Sequence, residues 1–279
     1  MTTMTAPARA TSVAREPRFA HLLRSEWIKF SSLPSLYLTL IAIAVVGFGG
    51  SMFLAIGLKS SVPPSTFNIQ TTMGEVTMPT VLIGQIMAGV IGVLCIGSEY
   101  SSGTIAATLL AAPTRLRALL AKAVLLFVVL TATGLVTVTL AWAASYPFYA
   151  EFGLQAAFGP QVFSSLFGAA GYLGLCGVFG LGLGALLRST TAGACVVFFA
   201  TMLGPILSTY LPYGVVSRVV RLLLIGNAGD AMARVPLPDA PFLSLWDGHI
   251  NPAAGWLLAA FTASLALACG AVALLRRDA

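Results

Sequence analysis

Few residues of this 279-residue chain are equipped for chemistry, since only 9% of it is charged and it holds two histidines. The ionisable groups that draw interest stand at the ends of long oily runs. Glu26 lies in FAHLLRSEWIKF (19–30), and Glu99 opens the stretch GSEYSSGTIAATLLAAPTRLRALLAK (97–122), which closes on Arg115, Arg117 and Lys122. At about 100° per residue, Phe19, Leu22, Leu23, Trp27 and Phe30 share one helical face, while His21, Arg24, Ser25 and Lys29 take the other. Glu26 intrudes on the apolar face, where a carboxylate needs either a cation, with Arg115, Arg117 and Lys122 as candidates, or a snorkel to the headgroups. Glu99 has the same choice of Arg115 or Lys122. His21 receives no role.

Catalysis finds no foothold in the sequence. It contains no G-x-x-x-x-G-K-[ST] phosphate loop, no G-x-S-x-G elbow, no H-E-x-x-H pair and no carboxylate dyad. Cys95, Cys176, Cys195 and Cys269 lie inside apolar runs without C-x-x-C spacing, which suits small packing residues better than metal ligands. No catalytic group, metal or cofactor is therefore expected in this chain.

The elements that position these residues follow from composition: 58% of the chain is hydrophobic and its mean hydropathy is +0.93. An all-α polytopic membrane protein is expected. Runs able to cross about 30 Å of hydrocarbon at about 1.5 Å per residue occur near 36–58, 79–97, 118–145, 162–187, 192–210 and 253–275. The fifth should kink or end at Pro205, and Arg188 to Thr191 forces a tight hairpin between the fourth and fifth. Residues 1–17 read as a disordered cytoplasmic tail and 18–279 as a single transmembrane domain.

Lys and Arg gather on the side of the amino terminus, leaving Lys59, Arg218, Arg221 and Arg234 opposite, so both termini are expected in the cytoplasm. The net charge of +6 is scattered over segment ends and not arranged in a stripe, which argues against nucleic acid as a partner. No ionisable residue lies near the middle of any of the six runs, and no inverted repeat is evident, which disfavours an ion-coupled carrier. Gln85, the one strongly polar side chain within a span, suits a pathway lining or an interhelical hydrogen bond. Gly171, Gly174, Gly177, Gly180 and Gly184 let another backbone approach the fourth span, within the bundle or between subunits.

Within the connector, Thr104 can cap a short helix on which Ile105, Thr108, Leu109 and Ala112 share a face, and Pro113 ends it. Beyond the fifth span, VVSRVVRLLLI (215–225) sets Arg218 and Arg221 one turn apart in an apolar run, which suits a helix at or dipping into the membrane surface, or a solvated outer helix. Asn227 to Asp247 reads as loop.

Taken together, the stretch LLRSEWIKFSSLPSLY (22–37) and the connector, with Glu99, Gly103-Thr104, Leu109-Leu110, Pro113, Arg115 and Lys122, resemble the membrane subunits of ABC-2 type ATP-binding cassette transporters. The resemblance implies a permease subunit that exports a drug, peptide or lipid-like solute across the cell membrane. It implies two cytoplasmic ATPase subunits per complex and a second permease copy or paralogue beside this one in the lipid bilayer. Glu99, Gly103, Thr104, Leu109, Pro113, Arg115 and Lys122 would form the coupling element against the ATPase, with Glu26 and Trp27 on the interfacial helix beside it. Short re-entrant or interfacial helices would follow the fifth span, making Pro205, Arg218 and Arg221 an extracellular gate. A membrane-embedded binding or immunity protein that sequesters a peptide without transport is the alternative.

Overall fold

In the computed structural model, residues 19–57, 68–101, 115–154, 156–212, 214–236, 241–244 and 249–277 are described. Nine helices run through them in the order α1 (Phe19–Ser31), α2 (Pro34–Gly57), α3 (Ile69–Ser101), α4 (Arg115–Glu151), α5 (Pro160–Leu187), α6 (Thr190–Ser208), α7 (Val215–Leu223), α8 (Ile225–Ala233) and α9 (Pro252–Arg277). A two-residue antiparallel ladder, Leu243–Ser244 with His249–Ile250, precedes α9. Helices α2, α3, α4, α5, α6 and α9 are each long and apolar enough to cross a membrane, so the chain is an all-α polytopic membrane protein.

The amino-terminal helix ends where Pro34 begins a new one, since proline lacks the N–H an interior position needs but suits the first turn. Ser31 and Ser32 donate their hydroxyls to the carbonyls of Ile28 and Lys29, adding to the backbone bonds those carbonyls accept from the Ser32 N–H at the break. Between α5 and α6 the turn is equally short. Arg188 takes the left-handed conformation (φ 53°) and closes α5 on the Gly184 carbonyl, and Ser189 caps α6 by accepting from the Ala192 N–H.

Helix α5 is the hub, with 83% of its most apolar stretch buried against 22% for α2 and α6. Its glycines make this possible by removing side chains where backbones meet. A Cβ on Gly180 would strike the Gly89 carbonyl of α3, and one on Gly92 would strike the Gly177 carbonyl of α5. Gly184 continues that seam against Val93, whereas Gly174 faces Phe127 and Thr131 of α4 and Gly171 faces Trp256 of α9. The glycines thus pack three neighbours within the chain.

Three boundaries differ from the sequence reading. The second span begins at Ile69 and not near 79, because Asn68 caps it through the N–H groups of Gln70 and Thr71. Its polar first turns are satisfied internally: Thr72 and Thr77 bond back to the carbonyls of Asn68 and Met73, and Glu75 accepts from the Tyr149 hydroxyl at 3.1 Å. The third span runs on through Pro147 to Glu151. The stretch beginning at Asn227 is not loop throughout, since α8 continues to Ala233. There Ala228, Ala231, Met232 and Ala233 are buried, and Ser165 of α5 donates to the Ala233 carbonyl. The expected tail and the short helix beginning at Thr104 lie outside the described residues, as do Lys59, Gly103, Leu109 and Pro113.

Candidate functional site

At the end of the bundle where the connector leaves α3 and rejoins α4, the structure gathers four charges from three helices. Lys122 Nζ lies 2.7 Å from Glu26 Oε2 and 2.9 Å from Glu99 Oε1, and donates to the Cys95 carbonyl at 3.2 Å. An ammonium has three N–H donors, and these three acceptors match them. Lys29 closes the ring, 3.0 Å from Glu26 and 3.3 Å from Glu99. Among the described residues two acids and two bases alternate, so these four charges cancel. The side chains of Glu26, Lys122 and Glu99 are only 6%, 10% and 13% exposed, which makes mutual compensation the condition for burying them.

Each member is placed by its helix. Glu26 and Phe30, one turn apart on α1, are the residues of that helix that bury, and they face α4. Glu99 lies in the last turn of α3, and Lys122 lies two turns into α4 after Arg115 begins it. Trp27, by contrast, is half exposed on the outer side of α1, stacked on Phe30 with ring centroids 6.4 Å apart. Glu26 and Trp27 therefore serve different surfaces. Nearby, the Arg188 guanidinium sits 5.4 Å from the centre of the Tyr100 ring, clipping the α5–α6 hairpin to the end of α3. Lys29, assigned to the polar face on sequence, is the member that reading missed; its i, i+3 spacing from Glu26 was the available signal.

A second site lies toward the opposite end. A cavity of about 530 Å³ is walled by α3 (Gly74 to Gln85), the end of α6, one face of α7, and α8. Pro205, Arg218 and Arg221 all line it, so the structure brings the three residues singled out beyond the fifth span to one place. Pro205 has no N–H to return to the preceding turn, and the residues just before it, Phe199–Leu203, form a π-helical stretch. Gly226 fits against the Thr201 carbonyl of that stretch with no room for a Cβ. Arg221 donates to the Ser208 carbonyl at 3.0 Å, which places a cation on the carboxyl end of α6. Behind the cavity wall the buried Tyr172 hydroxyl lies within hydrogen-bonding distance of Gln85 and of the Ile225 carbonyl, tying α3, α5 and α8 together. Gln85 both bonds across helices and lines the cavity.

Six apolar helices, five of them arranged about the glycine-rich α5, define a multi-pass membrane protein. Residues 22–204 match the family described as ABC-2 family transporter protein, and the chain belongs to that family. The match spans α1, the charge cluster, the connector and most of α6, and stops short of α7 and α8. Among curated proteins, no sequence matches this chain.

Proposed function

We propose that the chain is the permease subunit of an ATP-driven exporter. It pairs with a second copy or paralogue in the cell membrane and is driven by two cytoplasmic ATPase subunits that dock on the connector between α3 and α4. Both termini face the cytoplasm on this reading. The observation that carries it is the charge cluster at the roots of the connector. Glu99 and Lys122 stand on either side of residues 102–114 and are joined to each other and to α1, so a force on the connector reaches three helices as one body. A buried, compensated cluster of this kind resists separation, because pulling one charge away strands its partners in an apolar setting.

From there α3 is the lever. It is a 33-residue helix, about 50 Å long at about 1.5 Å per residue, whose far half lines the outer cavity. A tilt imposed at Glu99 is carried past the α3–α5 glycine seam to Gln85, Val81 and Gly74. Pro205 and the π-helical stretch before it give α6 a yielding point opposite, and Arg218 and Arg221 complete the gate. Solute crosses as this gate and the inner end alternate.

Vesicles reconstituted with the chain, a candidate ATPase partner and candidate amphiphilic cargo test the reading. Flux that requires both ATP and the partner supports it, whereas nucleotide-independent retention of cargo would favour a sequestering protein instead.

A further inference from the structure

We infer that Gln85 is the polar anchor of the outer cavity, donating a hydrogen bond to the carbonyl oxygen of an otherwise apolar molecule held along α3 and α6. The inference rests on the permease reading for its biological use, though not for its geometry.

Gln85 stands midway along α3 and is the last residue of that helix on the cavity wall. It is only 3% exposed, so its polar atoms need partners. A carboxamide has two N–H donors and one oxygen. One N–H goes to the Leu82 carbonyl at 3.1 Å, and the oxygen faces the Tyr172 hydroxyl at 2.5 Å. The Leu82 bond fixes which end is which, because a carbonyl accepts from the nitrogen and would repel the oxygen. Tyr172 is held in its turn, fully buried, with its ring in the space where Gly229 of α8 has no side chain. The amide is thus locked with its oxygen toward α5. Its second N–H has no acceptor among the described residues. A buried N–H without an acceptor is rarer than a carbonyl with a lone pair to spare, and it forfeits a full hydrogen bond. Whatever fills the cavity has that acceptor to supply.

The neighbouring hydroxyls do not compete for the role. Those of Thr77 and Thr201, on the same wall, donate to the Met73 and Val197 carbonyls of their own helices, each at 2.8 Å. Met78, Val81, Leu82, Met202 and Ile206 face the same space, with methionines able to adapt to an alkyl chain. Met78 and Ile206 are half exposed, which opens the cavity through its apolar wall. A volume of about 530 Å³ falls in the range of small-molecule sites, about 300–1,000 Å³. A ketone, ester or amide oxygen on an alkyl body answers both the N–H and the wall. An alkane leaves the N–H bare, an ammonium brings a second donor to it, and water alone leaves the apolar wall wet.

The test uses the purified full chain in amphipol, without ATPase or nucleotide, and scintillation proximity to compare tritiated methyl undecyl ketone with tritiated tridecane. The ketone should be retained at least about fivefold better, the fold-change of one neutral hydrogen bond, and Gln85→Leu should bring the two within about twofold while tridecane still binds. Leu82→Trp should reduce retention of both. With an isotopically labelled carbonyl, the infrared band of the bound ketone should lie below that of the ketone in tridecane and return toward it in Gln85→Leu. Displacement of the ketone by ester-linked phosphatidylcholine and not by its ether-linked analogue assigns the site to a bilayer lipid. Displacement by neither assigns it to a solute. Equal retention of ketone and tridecane by the wild type, or a ketone preference that survives in Gln85→Leu, would overturn the inference. Should Gln85→Leu fail to elute as a single species, the wild-type ratio and carbonyl band decide. Because no motor is present, failure here leaves the permease reading standing, and loss of ATP-driven flux leaves this binding result standing.

Discussion

Replacing Lys122 with Met keeps the length of the side chain and removes its charge. Glu26 and Glu99 would then face each other at 6% and 13% side-chain exposure, with Lys29, itself 40% exposed, as the remaining cation among the described members of the cluster. Stranding a buried partner typically costs about 3–5 kcal/mol. Removing a half-solvated charge such as Lys29 costs under about 1 kcal/mol, because water and salt screen it. Lys122→Met should therefore destabilise the protein several times more than Lys29→Met. The triple change Lys122→Met, Glu26→Gln, Glu99→Gln should recover most of the loss, since a neutral replacement of a buried ion cluster is often close to neutral in energy. The assay is the fraction of monodisperse protein left after heating in detergent, read by fluorescence-detected size exclusion. Equal losses in Lys122→Met and Lys29→Met, or no recovery in the triple variant, would refute the reasoning.

Other consequences are as direct. Gly180→Leu should abolish correct assembly, because its Cβ alone would strike the Gly89 carbonyl; a well-folded variant with unchanged thermal stability would argue against the seam. In a background lacking the native cysteines, single cysteines at Ser65 and Asp239 should label from outside intact cells while one at Thr114 should not, and outside labelling at Thr114 would invert the topology. Arg221→Gln removes the cation from the carboxyl end of α6, which is worth about 1 kcal/mol; amide exchange at α6 should quicken there and not in α5.

Much of the fold was legible in the sequence because lipid imposes long apolar runs and pushes charges to their ends, and the cluster was partly legible for the same reason. Glu26 stood out on an apolar face, and Lys122 was among the cations that could meet it. What stayed hidden depends on hydrogen bonds and contacts that form only once the helices are in place. Thr72, Glu75 and Thr77 look like loop chemistry until their own helix and Tyr149 satisfy them. Gly226 and Gly229 look like turn residues, yet they are the places where α8 presses on the Thr201 carbonyl and the Tyr172 ring. The inward turn of α7 is invisible to periodicity, which shows two faces but not which one meets the protein.

The central claim is that a separate motor drives this chain through the connector. Its most direct test is purification from native membranes after mild crosslinking, with ATP hydrolysis measured on the wild type and on Glu99→Ala, Leu109→Asp and Pro113→Gly. The account predicts that a second polypeptide carrying a phosphate-binding loop co-purifies with the wild type and hydrolyses ATP, that the chain stripped of it hydrolyses none, and that the three variants lose the partner or its cargo-responsive activity while remaining abundant in the membrane. A wild-type preparation without such a partner, or three variants with normal coupling, would contradict it.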